Sequence, residues 1–429
     1  MMKLLLCLLG VFLYAVFIAQ SFDRHQNAEL SNYHNEISGD KAGYMVYLPA
    51  AFCYKFEARQ FPKGIDDTTG QGFHLNLATN TVETKYPYGV ALLQAPFWAA
   101  AQVLSPDKSG FSVAVRKAID VAGVTYFALG LLLLFATLRR HFSEPAVLLT
   151  LALLVWGTNL WYYAIIETGM SHAYSFFAFA LLLWLINRVN TSESGQRPYQ
   201  LGEAAAIAAT LALISILRPI NIVLALPLLL WPANPAAGWP QQLRKLWHWR
   251  NAAALALAMV VFWLPQLLYY KYARGSYFVY SYGQEGFPYA LSPRVAEVWF
   301  APNNGAFLYN PLLLLVLLPG VWLLRRRSGW WSGLAGLVWL AASYLYAAWW
   351  AYTLGCGYGG RGFVDLYSVL AWPLAALAEN ILVRRRWLLA GLCVLFVWYN
   401  MRLSRNIDRC FYGKSDWDWQ GYQAILNPR

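Results

Sequence analysis

Runs of about 17–22 apolar residues recur along the chain, broken by short polar links, and a run of that length crosses a bilayer core of about 30 Å. The pattern places candidate membrane-crossing helices at 4–20, 118–138, 146–164, 172–187, 202–217, 219–231, 251–270, 305–324, 331–350, 365–382 and 387–401. The expected fold class is an all-α polytopic membrane protein, one transmembrane domain over residues 1–429 built from about 11 crossing helices. Residues 21–117 read as a first extracytoplasmic loop carrying amphipathic interfacial helices, and 402–429 as a C-terminal tail. Two stretches need a specific reading for the count to close. Residues 88–104 lie in the interface rather than cross, and 202–231 makes two short passes that turn at Arg218–Pro219, where a proline and a mid-run arginine break the apolar run. Met1 to Gln20, with Lys3, an apolar run and a small residue at Ala19, also fits a signal peptide. A retained helix is the preferred reading, because the amphipathic segment that follows needs an anchor.

Charge orients this pattern. With the N-terminus in the cytoplasm, Arg139–Arg140, Arg188, Arg197, the Arg244–Lys245–Arg250 group, Arg325–Arg327 and Arg384–Arg386 all fall on the cytoplasmic side, as the positive-inside rule requires. The tail runs against the rule, with Arg402, Arg405, Arg409 and Lys414 outside, partly balanced by Asp408, Asp416 and Asp418. The motif-bearing links then share one face: 21–117, 165–171, the Arg218 turn, 271–304 and 351–364. That face is expected to be extracytoplasmic and to carry the chemistry.

Composition narrows the class. The chain is 59% hydrophobic and 13% charged, against roughly 25% charged in an average domain. The net charge of +12 is spread over the links between spans, so topology explains it and nucleic acid is not an expected partner. Aromatic residues make up 17%, including 21 Trp and 28 Tyr, more than interfacial belts require, which points to a sugar or lipid site. Five cysteines show no metal-ligand spacing; Cys53, Cys356 and Cys410 share the outer side, where one disulfide or three isolated thiols are both open.

Five groups have the right chemistry for a site. Asp40 follows the first span and precedes the aromatic stretch Tyr44–Phe52; it fits a general base, or a helix N-cap. Lys85, in Lys85-Tyr86-Pro87-Tyr88-Gly89, suits a phosphate at headgroup depth, or snorkels to the interface. His172 opens a span and is read as binding a substrate hydroxyl or phosphate, or as making a structural hydrogen bond. Arg218 inside an apolar hairpin needs an anionic or carbonyl partner, substrate phosphate or neighbouring helix ends. The loop Gly355-Cys-Gly-Tyr-Gly-Gly-Arg-Gly-Phe-Val-Asp365 offers backbone amides and Arg361 to an anion; a turn with Arg361 paired to Asp365 is the alternative. The pair Asp66-Asp67 reads as a polar turn. Nucleophile-elbow, zincin, dinucleotide and P-loop signatures are missing.

Asp40 with Gly43-Tyr-Met-Val-Tyr-Leu-Pro-Ala, then Lys85-Tyr-Pro-Tyr-Gly, Ala95-Pro-Phe-Trp, Arg218-Pro-Ile-Asn-Ile-Val-Leu and Gly359-Gly-Arg-Gly-Phe-Val-Asp-Leu-Tyr, resembles the GT-C fold membrane glycosyltransferases, the bacterial members akin to protein O-mannosyltransferases and the lipid A aminoarabinose transferase above all. The resemblance implies transfer of a sugar from a polyprenyl-phosphate donor to an acceptor glycan, lipid or protein on the extracytoplasmic face, the outer side of a bacterial inner membrane, with inversion. It maps the family's essential acid to Asp40 as catalytic base and its donor-phosphate contacts to Lys85, Arg218 and Arg361. Tyr44, Tyr88, Trp161 and His172 are its candidate sugar contacts. The family often carries an acidic pair where Asp40 is followed by Lys41, so no cofactor and no divalent metal is expected. The rival readings are a glycolipid transporter or flippase, and an O-antigen polymerase or ligase.

Overall fold

The computed structural model describes residues 2–26, 29–32, 35–190, 199–232, 242–243, 246–355, 357–384, 386–410 and 416–427. Of the residues named above, Met1, Arg197, Arg244, Lys245, Cys356, Arg385 and Lys414 lie outside the described residues, while Cys53 is a free thiol.

The apolar runs fold as helices. Among the described residues, six are long and apolar enough to cross a membrane: Val113–Leu138, Ser171–Val189, Trp249–Arg274, Gly329–Ala348, Arg361–Arg384 and Trp387–Ile407. Shorter apolar helices accompany them at Gly89–Leu104, Glu144–Trp156, Leu201–Leu217, Asn221–Leu230 and Leu312–Arg325. The chain opens with the helix Met2–His25, whose second half packs on Val113–Leu138 through Phe17 and Phe127. The run at 305–324 is not one helix. Asn310-Pro311 ends the turn Ala306–Tyr309, and Pro319 sits in a π-helical turn at Val316–Gly320, because proline removes a ladder donor and crowds the preceding turn. The run at 146–164 divides similarly, into Glu144–Trp156 and a π turn at Tyr162–Ile166.

The links sort to two ends of the bundle. At one, Arg327 bonds the His141 carbonyl and pairs with Glu379, His141 bonds Asn187, and the Trp331 indole donates to the Pro232 carbonyl. The basic links at 139–140 and 325–327 therefore meet at one end. Asp40, His172, Arg218, Glu285 and Arg361 gather at the other.

The segment from Asn35 to Phe111 builds a second apolar core around Met45, Leu48, Phe61, Phe73 and Trp98, completed by Val115 and Ile119 of Val113–Leu138 and by Tyr269 and Tyr270 of Trp249–Arg274. Its helices Asp40–Met45 and Tyr47–Phe52 form part of this core: from Ala42 to Ala50 every residue is buried, while Ala51 and Phe52 are exposed. A short antiparallel hairpin, unexpected from the sequence, pairs His74–Asn76 with Thr81–Glu83 and aligns Leu75 with Val82. It docks on the helix Trp249–Arg274, where the Tyr269 hydroxyl accepts from Thr84 N–H at 2.8 Å and donates to the Val82 carbonyl at 3.0 Å. At the other terminus, the last long helix runs on to Cys410, so Arg402 and Arg405 are helical rather than part of a tail. The closing helix Trp419–Leu426 folds back on it, and the Trp417 indole bonds the Pro302 carbonyl.

Candidate active site

A cavity of about 940 Å³ opens at the end of the bundle where the motif-bearing links converge. Asp40, Tyr44, Lys85, His172, Arg218 and Arg361, six of the eight residues singled out from sequence, line it. Tyr88 does not. Its hydroxyl donates to the Phe262 carbonyl and its N–H to the Gln266 amide oxygen, so it ties the first loop to the neighbouring helix. Trp161 is also outside the lining and donates to Gln20.

Asp40 is the first residue of its helix, not the cap. Gly39 takes the cap position, with φ 60° and ψ −131°, and no side chain bonds the helix end. The carboxylate is thereby released from backbone duty. One oxygen accepts from the Tyr86 hydroxyl at 2.6 Å and the other from Arg361 at 3.3 Å, and the side chain remains 37% exposed to the cavity. Burial by itself would push this carboxyl up. The Arg361 guanidinium, the Tyr86 hydroxyl and the Lys85 ammonium outweigh it and hold the carboxyl below its ordinary 3.8. Burial and the Asp40 charge push the Tyr86 phenol well above its ordinary value, so it stays a donor. The position of Asp40 depends on backbone contact. A Cβ on Gly72 would lie 1.9 Å from the Gly39 carbonyl, so only glycine lets the two strands of chain touch.

Arg361 leaves a loop held by side-chain amides. Gly359 and Gly360 both have positive φ, 60° and 67°, a pair of left-handed residues that no regular ladder can satisfy. Asn159 donates to the carbonyls of Tyr358 and Gly359, both at 2.8 Å, and Asn310 to the Gly359 carbonyl at 2.9 Å. Gly359 N–H returns to the Asn304 side chain at 2.9 Å, and Tyr358 N–H to the Tyr163 hydroxyl at 2.7 Å. All three asparagines are buried. The loop is therefore a fixed mount for Arg361.

Arg218 is held differently. It pairs with Asp365 at 2.9 Å, and Asp365, fully buried, also bonds His172 at 2.9 Å and Asn221 at 2.8 Å. The alternative pairing of Arg361 with Asp365 gives way to this one. His172 packs edge-on against the ring of Tyr163 at 4.8 Å. The third cation, Lys85, meets Glu285 at 2.5 Å; both are partly exposed, at 36% and 26%. Glu285 belongs to the link between Arg274 and Val295, which lies against the cavity through Tyr280 and Tyr282 and is pinned where Trp350 N–H bonds the Gly286 carbonyl.

Sequence reasoning missed Tyr86 and Tyr282 as site residues and the three asparagines as supports. Tyr86 stood beside Lys85 in a motif already singled out. The asparagines carried no local signal, since their partners lie up to 200 positions away.

Two buried ion-pair groups brace the Asp40 segment from behind. Lys41 turns from the cavity to Glu167 at 3.0 Å. His25, Glu36 and Asp120 bring ligand-type atoms within 4.8 Å of one another. Lys117, 2.9 Å from Glu36 and 3.8 Å from Asp120, and Arg116, 3.7 Å from Glu36, already balance these carboxylates. The Asp120 carboxylate also accepts from Thr168 at 2.6 Å, which ties the first helix, the second and the 166–170 turn into one support.

No family model matches this sequence, and comparison with curated proteins gives no significant sequence match. Solved structures do match in shape. ArnT from Cupriavidus metallidurans, solved bound to undecaprenyl phosphate, superposes with a TM-score of 0.52 at 13% identity, over 87% of this chain and 59% of that one. The archaeal oligosaccharyltransferase AglB from Archaeoglobus fulgidus, solved with an inhibitory peptide and a dolichol-phosphate, gives a TM-score of 0.45 at 11% identity, over 97% of this chain and 53% of that one. The chain thus spans a little over half the length of either neighbour. Its helical membrane architecture is that of the GT-C fold.

Proposed function

We propose that this chain is an integral-membrane glycosyltransferase that takes a sugar from a polyprenyl-phosphate donor, with the cavity facing the extracytoplasmic side. The observation that carries the reading is one cavity that sets the partly exposed carboxylate of Asp40 among three cations, Arg361, Arg218 and Lys85, with Glu285 paired to Lys85. A lipid phosphate asks for this arrangement. Its departure from the anomeric carbon builds charge on phosphate oxygens, and fixed cations in a site shielded from water stabilise that charge. The ArnT neighbour's undecaprenyl phosphate belongs to the same ligand class.

In the reaction, the acceptor oxygen forms a bond to the anomeric carbon while the bond from that carbon to the phosphate oxygen breaks. The phosphate leaves with the electron pair, and Asp40 takes the acceptor's proton. Attack from the side opposite the phosphate inverts the anomeric centre. Arg361 and Lys85, both partly exposed at the cavity wall, bind the phosphate; Arg218 adds charge from a fixed position. Tyr44 and His172 are the sugar contacts. The sugar and the acceptor are left as classes: a hexose or pentose, passed to a glycan, lipid or protein.

The test is transfer from radiolabelled polyprenyl-phosphate sugars by purified protein in lipid nanodiscs, wild type against Asp40→Asn at equal folded fraction. Transfer by the wild type and its loss in the variant support the reading. Undiminished transfer by Asp40→Asn removes the base assignment. No transfer across a panel of donors, with lipid-linked sugar instead crossing the bilayer of proteoliposomes, would make the protein a flippase.

A further inference from the structure

The two Arg–Asp pairs of the cavity differ in a way that assigns them different tasks. Arg218 and Asp365 form a locked pair: a 2.9 Å contact to a fully buried carboxylate that two further side chains also hold. Arg361 and Asp40 form a loose one, a single 3.3 Å contact to a carboxylate that is 37% exposed to the cavity. Yet this loose pair occupies the very group that the reaction needs as a base. With Arg361 on one oxygen and Tyr86 on the other, one lone pair of each oxygen is taken, and the guanidinium beside Asp40 weakens its hold on an incoming hydroxyl proton.

Resting on the function proposed above, we infer that Arg361 changes partner: in the empty site it masks Asp40, and the donor's phosphate draws it away and so switches the base on. The donor's phosphodiester competes for Arg361 because it presents two unesterified oxygens to a planar fork that Asp40 engages through one nitrogen and one oxygen. The mount of Arg361 stays where it is, since Asn159, Asn304 and Asn310 hold the loop, and the exchange is a side-chain swing rather than a loop motion. Once Arg361 has left, the groups facing Asp40 are Tyr86, Lys85, Tyr44 and Tyr282. The consequence is an ordered reaction: no acceptor is activated until a phosphate sits in the site.

The experiment reads the protonation of Asp40 directly. Infrared difference spectra of the full chain in nanodiscs, wild type minus Asp40→Asn, follow the protonated carboxyl band through a pH titration. Spectra are taken alone, with undecaprenyl phosphate, and with undecaprenol, which has the tail and no phosphate. Binding of each lipid is scored separately by thermal stabilisation. Undecaprenyl phosphate is expected to raise the titration midpoint by at least one pH unit, about tenfold in proton affinity, and undecaprenol to leave it in place. Arg361→Gln is expected to show a raised midpoint with no lipid, and a lipid-induced shift less than half that of the wild type. A bound phosphate that leaves the wild-type midpoint unmoved overturns the inference. So does an equal lipid-induced shift in Arg361→Gln, because that shift would then come from phosphate charge alone. If undecaprenyl phosphate does not bind at all, the donor assignment fails instead, and the variant without lipid still decides whether Arg361 masks Asp40.

Discussion

Asp40 and Arg361 stand 321 positions apart and meet at 3.3 Å on the wall of one cavity. The pair has a measurable pH signature. The Arg361 guanidinium holds the Asp40 carboxyl below its ordinary 3.8, so the unfolded chain binds this proton more readily than the folded one. The stability the pair contributes is therefore complete above the unfolded value and is lost only as pH falls through the lower folded value. Thermal midpoints of wild type and Asp40→Asn should keep a constant difference between about pH 5 and 8 and converge below about pH 4. Convergence beginning above pH 6 would show a carboxyl that is not held low.

Asp365 predicts a stability effect of a different size. It is fully buried with three partners, and Asp365→Ala leaves the Arg218 charge without its counter-ion in an apolar hairpin. The expected loss is about 3–5 kcal/mol. Replacing both partners by apolar residues, Arg218→Met with Asp365→Leu, should restore at least half of it, because no unpaired charge is left. Chemical unfolding in detergent measures the cycle, and additive losses would mean the two residues act independently.

Tyr86 donates to Asp40 at 2.6 Å from a site packed against Tyr44 at 4.4 Å. Tyr86→Phe keeps the packing and removes only the bond. Asp40 should then take up a proton more readily, moving the acid limb of kcat to higher pH, with a change in unfolding free energy below about 1.5 kcal/mol. An unchanged pH–rate profile would leave the phenol with a packing role alone.

Gly72 predicts a structural failure that reaches the site. A Cβ there would meet the Gly39 carbonyl at 1.9 Å, a backbone atom that cannot swing aside. Gly72→Ala should displace the 39–43 turn and cut transfer at least tenfold while the membrane bundle stays folded, since the turn belongs to the second apolar core and not to the main one of the bundle. Limited proteolysis of 35–111 against the intact bundle distinguishes this from global unfolding. A variant that matches wild type in both assays would show that the two turns can separate without consequence.

Much of this protein was legible in its sequence because apolar length, proline and arginine act locally. Span length fixed where helices form, Arg218–Pro219 broke the 202–231 run as expected, and the basic links at 139–140 and 325–327 did come to one end. The chain also announced Asp40, Lys85, His172, Arg218 and Arg361 as residues too polar for their surroundings, and one cavity collects all five. What the sequence could not decide is who pairs with whom. Arg361 had a carboxylate four positions away in Asp365 but meets Asp40, and Asp365 goes to Arg218 and His172. Lys41, next to the key acid, turns to Glu167 behind it. Burial makes each of these choices costly to leave unmet, while helix packing sets which charges come within reach. The three asparagines that mount the glycine loop follow the same logic: an amide has no meaning until the backbone it satisfies arrives from 49 to 200 residues away. Local physics wrote the helices, and long-range packing alone turned five isolated polar residues into a site.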